Sequence, residues 1–259
     1  MKVRIFSVVG AMLMLTVCSK GSQTNAAPPA ANEPAPAPVP ATSSAAGGTI
    51  SGKIKFTGTA PRNPAIDMSE EAACKAKYKT TPTEENVVAG PANALANVFV
   101  YVKAGVPAGQ TFTAPTTPVV LNQDGCRYHP HVFGIMVNQP LEIKNSDPLL
   151  HNIKAIAKKN RPFNISQPNA GMQTSRTFNA PEVMVNLECN VHGWMKAFVG
   201  VRPDPFFAVS GADGSFTISG LPPGTYTIEA WHEKLGTQTA TVTIAGTETK
   251  TANLTFAAH

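Results

Sequence analysis

Charge is scarce in this chain. Asp, Glu, Lys and Arg make up only 14% of its 259 residues, and aromatics only 7%. Of the 21 basic residues, Lys2 and Arg4 stand at the extreme N-terminus, which leaves 19 against 16 acidic ones. No basic cluster interleaved with aromatics remains, which argues against a nucleic-acid partner. Internal repeats and long amphipathic helical patterns are also missing. So is any pairing of a nucleophile with a base, and the chain is not expected to be an enzyme. Proline, by contrast, is abundant at 23 residues, and runs of Thr, Val and Ile fill the second half. Such composition favours all-β architecture, with room for one large or two small domains.

The N-terminus reads as an address rather than a fold. Lys2 and Arg4 precede an apolar stretch from Ile5 to Val17, the arrangement of a signal peptide and too short for a membrane span. Leu15-Thr16-Val17-Cys18 resembles a bacterial lipobox, so residues 1–18 are expected to direct export and Cys18 to carry lipid. Residues 19–48 form a Pro/Ala/Ser-rich tether with too few large apolar side chains to fold. The expected location is the periplasm, with the lipid anchor holding the chain to the outer membrane.

Four cysteines are present, and their neighbours differ. Cys189-Asn190-Val191-His192-Gly193-Trp194-Met195 carries a thiolate, an imidazole and a thioether, and His151-Asn152 upstream offers a second imidazole. Two His, one Cys and a weak axial Met form the ligand set of a type 1 blue-copper centre. Zinc also takes Cys and His but rarely Met. Val183, Val185, Leu187 and Cys189 share one parity along an extended run, so the thiol is expected to point inward at a strand end. Leu141 and Ile143 alternate with Glu142 and Lys144 in a half-buried strand that delivers His151 to the same end. Asn152 is a candidate tether to the Cys loop, and Trp194 either screens the metal, joins an apolar docking patch or packs in the core. Cys74 and Cys126 remain. In an exported chain they are expected to pair as a disulfide. The alternative is a second metal site built from Cys126, His129 and His131.

The C-x2-H-x2-M spacing resembles the short ligand loop of amicyanin-type cupredoxins. The stretch from Val119-Val120-Leu121 through "VNQPLEIKNSDPLLHNI" is similar to the strands that precede the first His in that family. The likeness covers about residues 117–202 and implies a Greek-key cupredoxin β-sandwich holding one copper per chain. It also implies roles: Cys189 as the electronic route, His151 as the buried ligand, His192 as the exposed exit for electrons and Met195 as the axial tuner.

Downstream, Ala212-Asp213-Gly214-Ser215-Phe216 and Gly220-Leu221-Pro222-Pro223-Gly224-Thr225-Tyr226 resemble the carboxypeptidase regulatory-like β-sandwich. Asp-Gly and Pro-Pro-Gly supply turns. Tyr226, Ile228 and Ala230, then Ala240, Val242 and Ile244, alternate with polar residues as half-buried strands. Residues 204–259 are few for a sandwich. "GTISGKIKFTG" and Asn97–Val102 upstream are candidate missing strands, which would make one discontinuous unit of 48–106 with 204–259. A plain tandem order is the other arrangement. Residues 69–79 are expected to form one short helix capped by Ser69.

The functional expectation is a blue-copper protein that shuttles single electrons between redox partners such as a c-type cytochrome or a dehydrogenase. Copper delivery through the same site, or a surface scaffold with incidental copper, are the competing readings.

Overall fold

The computed structural model describes residues 47–258. The signal peptide, Cys18 and nearly all of the tether lie outside the described residues. The described chain is all-β apart from a four-residue helix, Ala72–Lys75, and a single 3-10 turn at Pro91–Asn93.

Two sheets enclose one core. Leu141–Asn145 lies between Val119–Asp124, which it pairs with in parallel, and antiparallel Gln173–Arg176, while Arg127–His129 folds back on Val119–Asp124. The facing sheet runs Val132–Met136, Lys196–Arg202, Glu182–Glu188, His151–Ile156 and Phe163–Gln167. Leu121, Leu141, Ile143, Ile153, Val185, Leu187, Val199 and Val201 fill the space between them and are buried. Their period-2 spacing along each strand puts one face of every strand in this core. Val183 departs from the expected parity: it is exposed, because the pairing register shifts between Glu182 and Val185. At that bulge Glu182 turns inward instead, and its carboxylate accepts the amides of Lys158, Lys159 and Asn160.

A second core lies between two further sheets. Gly48–Thr57 pairs with Ser215–Leu221 in antiparallel fashion, and with Thr249–Thr251 and Leu254–Ala257 in parallel. Phe99–Ala104 sits between Phe207–Val209 and Gly224–His232, and the latter makes a long hairpin with Gly236–Ile244. The parallel pairs make the first of these sheets mixed rather than wholly antiparallel. Ile50, Ile54, Phe56, Val100, Val102, Ile228 and Phe256 are among the residues buried together here.

Phe99, Tyr101 and Val132 join the two cores, with Phe198, Phe207 and Trp231 packed around them. The close approach depends on two glycines facing each other across paired strands, Gly134 and Gly200. A Cβ at Gly200 would lie 2.3 Å from the Phe99 ring, and one at Gly134 2.3 Å from the Phe207 ring.

The expected helix over 69–79 shrinks to Ala72–Lys75, preceded by Glu71 with no side-chain cap. Ser69 does not cap it; its amide is taken by Asp67 Oδ1 at 2.9 Å. This stretch acts as a strap rather than a helix. Ile66, Met68 and Cys74 are buried against the first core, while Asp67, Ser69, Glu70, Ala72 and Ala73 face outward.

Candidate metal centre

The four expected ligands come from two neighbouring chain segments of the first core. His151 opens the strand His151–Ile156, and Cys189 directly follows Glu182–Glu188, which pairs antiparallel with it. The loop from Cys189 to Met195 is closed by its own backbone: the Met195 amide donates to the His192 carbonyl at 2.9 Å, and the Cys189 amide to the Met195 carbonyl at 3.2 Å. The His192 amide donates to Cys189 Sγ at 3.4 Å. Cys189, His151, His192 and Met195 are all buried.

The thiol and the two imidazoles converge. His151 Nδ1 lies 3.0 Å from His192 Nδ1, and Cys189 Sγ lies 3.9 Å from the same His192 atom. The thiol and the two imidazoles form a group whose ligand atoms all fall within 4.8 Å of one another. Burial pushes the Cys189 thiol up, but the imidazoles of His151 and His192 beside it and nearby amides outweigh it and bring it down to about 5. A thiolate at neutral pH is the form a metal needs. This donor set therefore fits a soft or borderline metal ion.

Asn152 ties the two segments together. Its Oδ1 accepts the Asn190 amide at 2.7 Å and lies 3.3 Å from Cys189 Sγ, while its carbonyl accepts the Tyr128 hydroxyl. Trp194 is partly buried, its ring 5.1 Å from that of His192, and its Nε1–H donates to the Cys126 carbonyl at 2.9 Å.

Cys74 and Cys126 are joined in a disulfide that closes 52 residues. Cys126 therefore offers no free thiolate to a second metal site with His129 and His131. His131 is engaged elsewhere, by Glu233 and by the Lys196 carbonyl at 3.1 Å. The disulfide pins the strap over the metal loop, which corrects one expectation. His192 is no exposed exit: it is 3% exposed. Cys74 Sγ stands 3.8 Å and Glu71 Oε2 3.6 Å from its Nε2 atom.

Two contributors escape a reading of motifs. Tyr128 and Glu71 each reach the site from a distance in sequence. Asp147 stands in the Asn-x-Asp that precedes His151 in the motif, but the motif assigns it no role.

Residues 199–257 match the carboxypeptidase regulatory-like domain. The matched segment begins inside Lys196–Arg202, whose pairing partners belong to the first core. Strands Gly48–Thr57 and Phe99–Ala104 lie outside the match yet pair with its strands. Among solved structures, the chain is similar to a copper-containing nitrite reductase from Thermus scotoductus SA-01, at 23% identity and a TM-score of 0.32. That likeness spans 39% of this chain and 26% of the reductase. A purple cupredoxin from Nitrosopumilus maritimus is 22% identical over 32% of this chain and 97% of its own, with a TM-score of 0.28. A single-substitution mutant of amicyanin in its Cu(I) form is 17% identical over 40% of this chain and 98% of its own, with a TM-score of 0.29. No curated protein matches the chain.

Proposed function

We propose that this protein is a blue-copper electron carrier in which His151, Cys189, His192 and Met195 hold one type 1 copper ion per chain. The observation that carries the proposal is the convergence of two imidazole Nδ1 atoms on a buried thiolate, in a loop that also bears a buried Met. Bound copper would supply reversible one-electron exchange between Cu(I) and Cu(II). The protein's own part is to hold the donors in place. Backbone hydrogen bonds close the 189–195 loop, Asn152 locks it to the His151 strand, and burial keeps water away. A frame that does not relax between oxidation states keeps the reorganisation cost of electron transfer low.

The strap favours retention over delivery, because an ion passed to a partner must leave past Glu71 and the disulfide. Electrons on this side cross the strap rather than a bare imidazole edge. A c-type cytochrome or a dehydrogenase is the proposed partner class. The disulfide supports an oxidising, exported location. The proposed periplasmic, lipid-anchored setting predicts an acylated N-terminus at Cys18 in the intact mass of membrane-extracted protein. We further propose a discontinuous sandwich built from strands of 48–106 and 204–259 into which the metal-binding unit is inserted, with the strap at 66–78 packed on that unit's core instead; the strand pairing above supports this reading.

Copper quantitation combined with protein-film voltammetry tests the function. One copper per chain with a reversible one-electron wave is expected. Rapid loss of copper to a mild chelator with no such wave would favour delivery.

A further inference from the structure

Asp147 is not among the four expected ligands, yet both of its carboxylate oxygens are fully engaged. It is 0% exposed. Oδ1 accepts the Gly125 amide at 3.0 Å and the Lys77 ammonium at 2.5 Å. Oδ2 accepts the Cys126 amide at 2.7 Å and faces His151 Nε2 at 2.8 Å. The amides are available because Gly125 and Cys126 form a two-residue hairpin turn in which both φ angles are positive, 63° and 54°. That turn is fixed to the strap by the disulfide and by Tyr78, whose hydroxyl donates to the Gly125 carbonyl at 2.6 Å. Asn145 Oδ1 accepts the Asp147 amide at 3.0 Å, which sets the direction of the side chain.

From this geometry we infer that Asp147 is a positioning residue that selects the metal-ligating tautomer of His151. This rests on the metal-centre reading given above. A neutral imidazole carries one proton, on either Nδ1 or Nε2. An ionised carboxylate can only accept, so the proton on His151 must sit on Nε2, facing Asp147. The Nδ1 lone pair is then turned to the side where Cys189 and His192 converge, with His192 Nδ1 at 3.0 Å. Without Asp147 the two tautomers would compete, and a proton on Nδ1 would block the donor atom. Two amides and an ammonium already donate to the carboxylate, and a proton on it would have to displace one of them. The carboxylate therefore stays an acceptor. Lys77, reaching in from the strap, supplies the balancing charge.

Asp147→Asn separates this role from packing, since it keeps the shape. Lys77 and the Gly125 amide both demand an oxygen on their side, so the new NH2 group would face His151 Nε2. That arrangement favours the opposite tautomer.

The test is 15N NMR of the imidazoles in the metal-free, full-length protein, at a pH where the rings are neutral. The wild type is expected to show His151 protonated on Nε2. Asp147→Asn should show it protonated on Nδ1 and bind Cu(I) about 10- to 100-fold more weakly. A wild-type His151 protonated on Nδ1 would overturn the inference, as would an Asn variant that keeps both the wild-type tautomer and the wild-type affinity. Should the variant not fold, the wild-type spectrum decides alone. A colourless copper complex of wild-type protein with His151 protonated on Nε2 would remove the blue-copper reading and leave the tautomer selection standing.

Discussion

At the scale of single residues, Met195 is the proposed ligand whose role is most open to direct measurement. It is 1% exposed and shares the core with Cys189. Gln nearly matches its volume, so Met195→Gln is expected to fold. A harder axial oxygen favours Cu(II), and the reduction potential should fall. An unchanged potential in voltammetry would make Met195 a packing residue. The grouping of Cys189, His151 and His192 is legible in the sequence because each is a rare residue type and the loop is short. Asp147 is harder to read. Its role depends on the Gly125-Cys126 turn, more than twenty positions upstream, aiming two amides at one carboxylate. His192 is the residue where the sequence misleads. The cupredoxin resemblance implies an exposed ligand, and only the folded strap shows that its outer edge is covered.

Among the elements, the strap around Ala72–Lys75 and the hairpin Gly224–His232 with Gly236–Ile244 make separate predictions. Closing 52 residues by the Cys74–Cys126 bond should stabilise the fold by about 4 kcal/mol on the chain-entropy estimate. A Cys74→Ser, Cys126→Ser double variant should unfold at lower urea. It should also lose copper to a chelator faster, because His192 is no longer covered. Equal release rates would show that the strap stays closed without the disulfide. In the hairpin, His232 is 2% exposed, and burial pushes it down to about 4 from 6.5, with His131 and Lys234 adding to this against Glu233. Its folded value is depressed, so the unfolded chain takes up the proton first. The associated stability is full above about pH 6.5 and is lost as pH falls toward 4. The loss is on the order of 3 kcal/mol if the whole shift is realised. Urea midpoints for wild type and His232→Gln should converge across that window; parallel curves would mean that His232 titrates normally. The alternating strands of this hairpin are plain in the sequence. The strap is not, because Ile66, Met68 and Cys74 follow no single period.

For the whole molecule, the joint between the two cores is the feature that sequence patterns conceal. Gly134 and Gly200 look like ordinary strand breakers, but they face each other and let Phe207 and Phe99 lie against the sheet. The all-β character was legible from Thr-Val-Ile alternation and turn residues. The pairing of Gly48–Thr57 with strands far downstream, from Ser215 onward, was suggested by a shortage of strands at the C-terminus and by the alternating "GTISGKIKFTG" run upstream. The central claim concerns what the first core holds at its end. The most direct measurement is the visible absorption spectrum of full-length protein loaded with Cu(II), alongside Cys189→Ser. An intense thiolate-to-copper band, blue or green, is expected in the wild type and should vanish in the variant. A colourless wild type, or a band that survives in Cys189→Ser, would contradict the account.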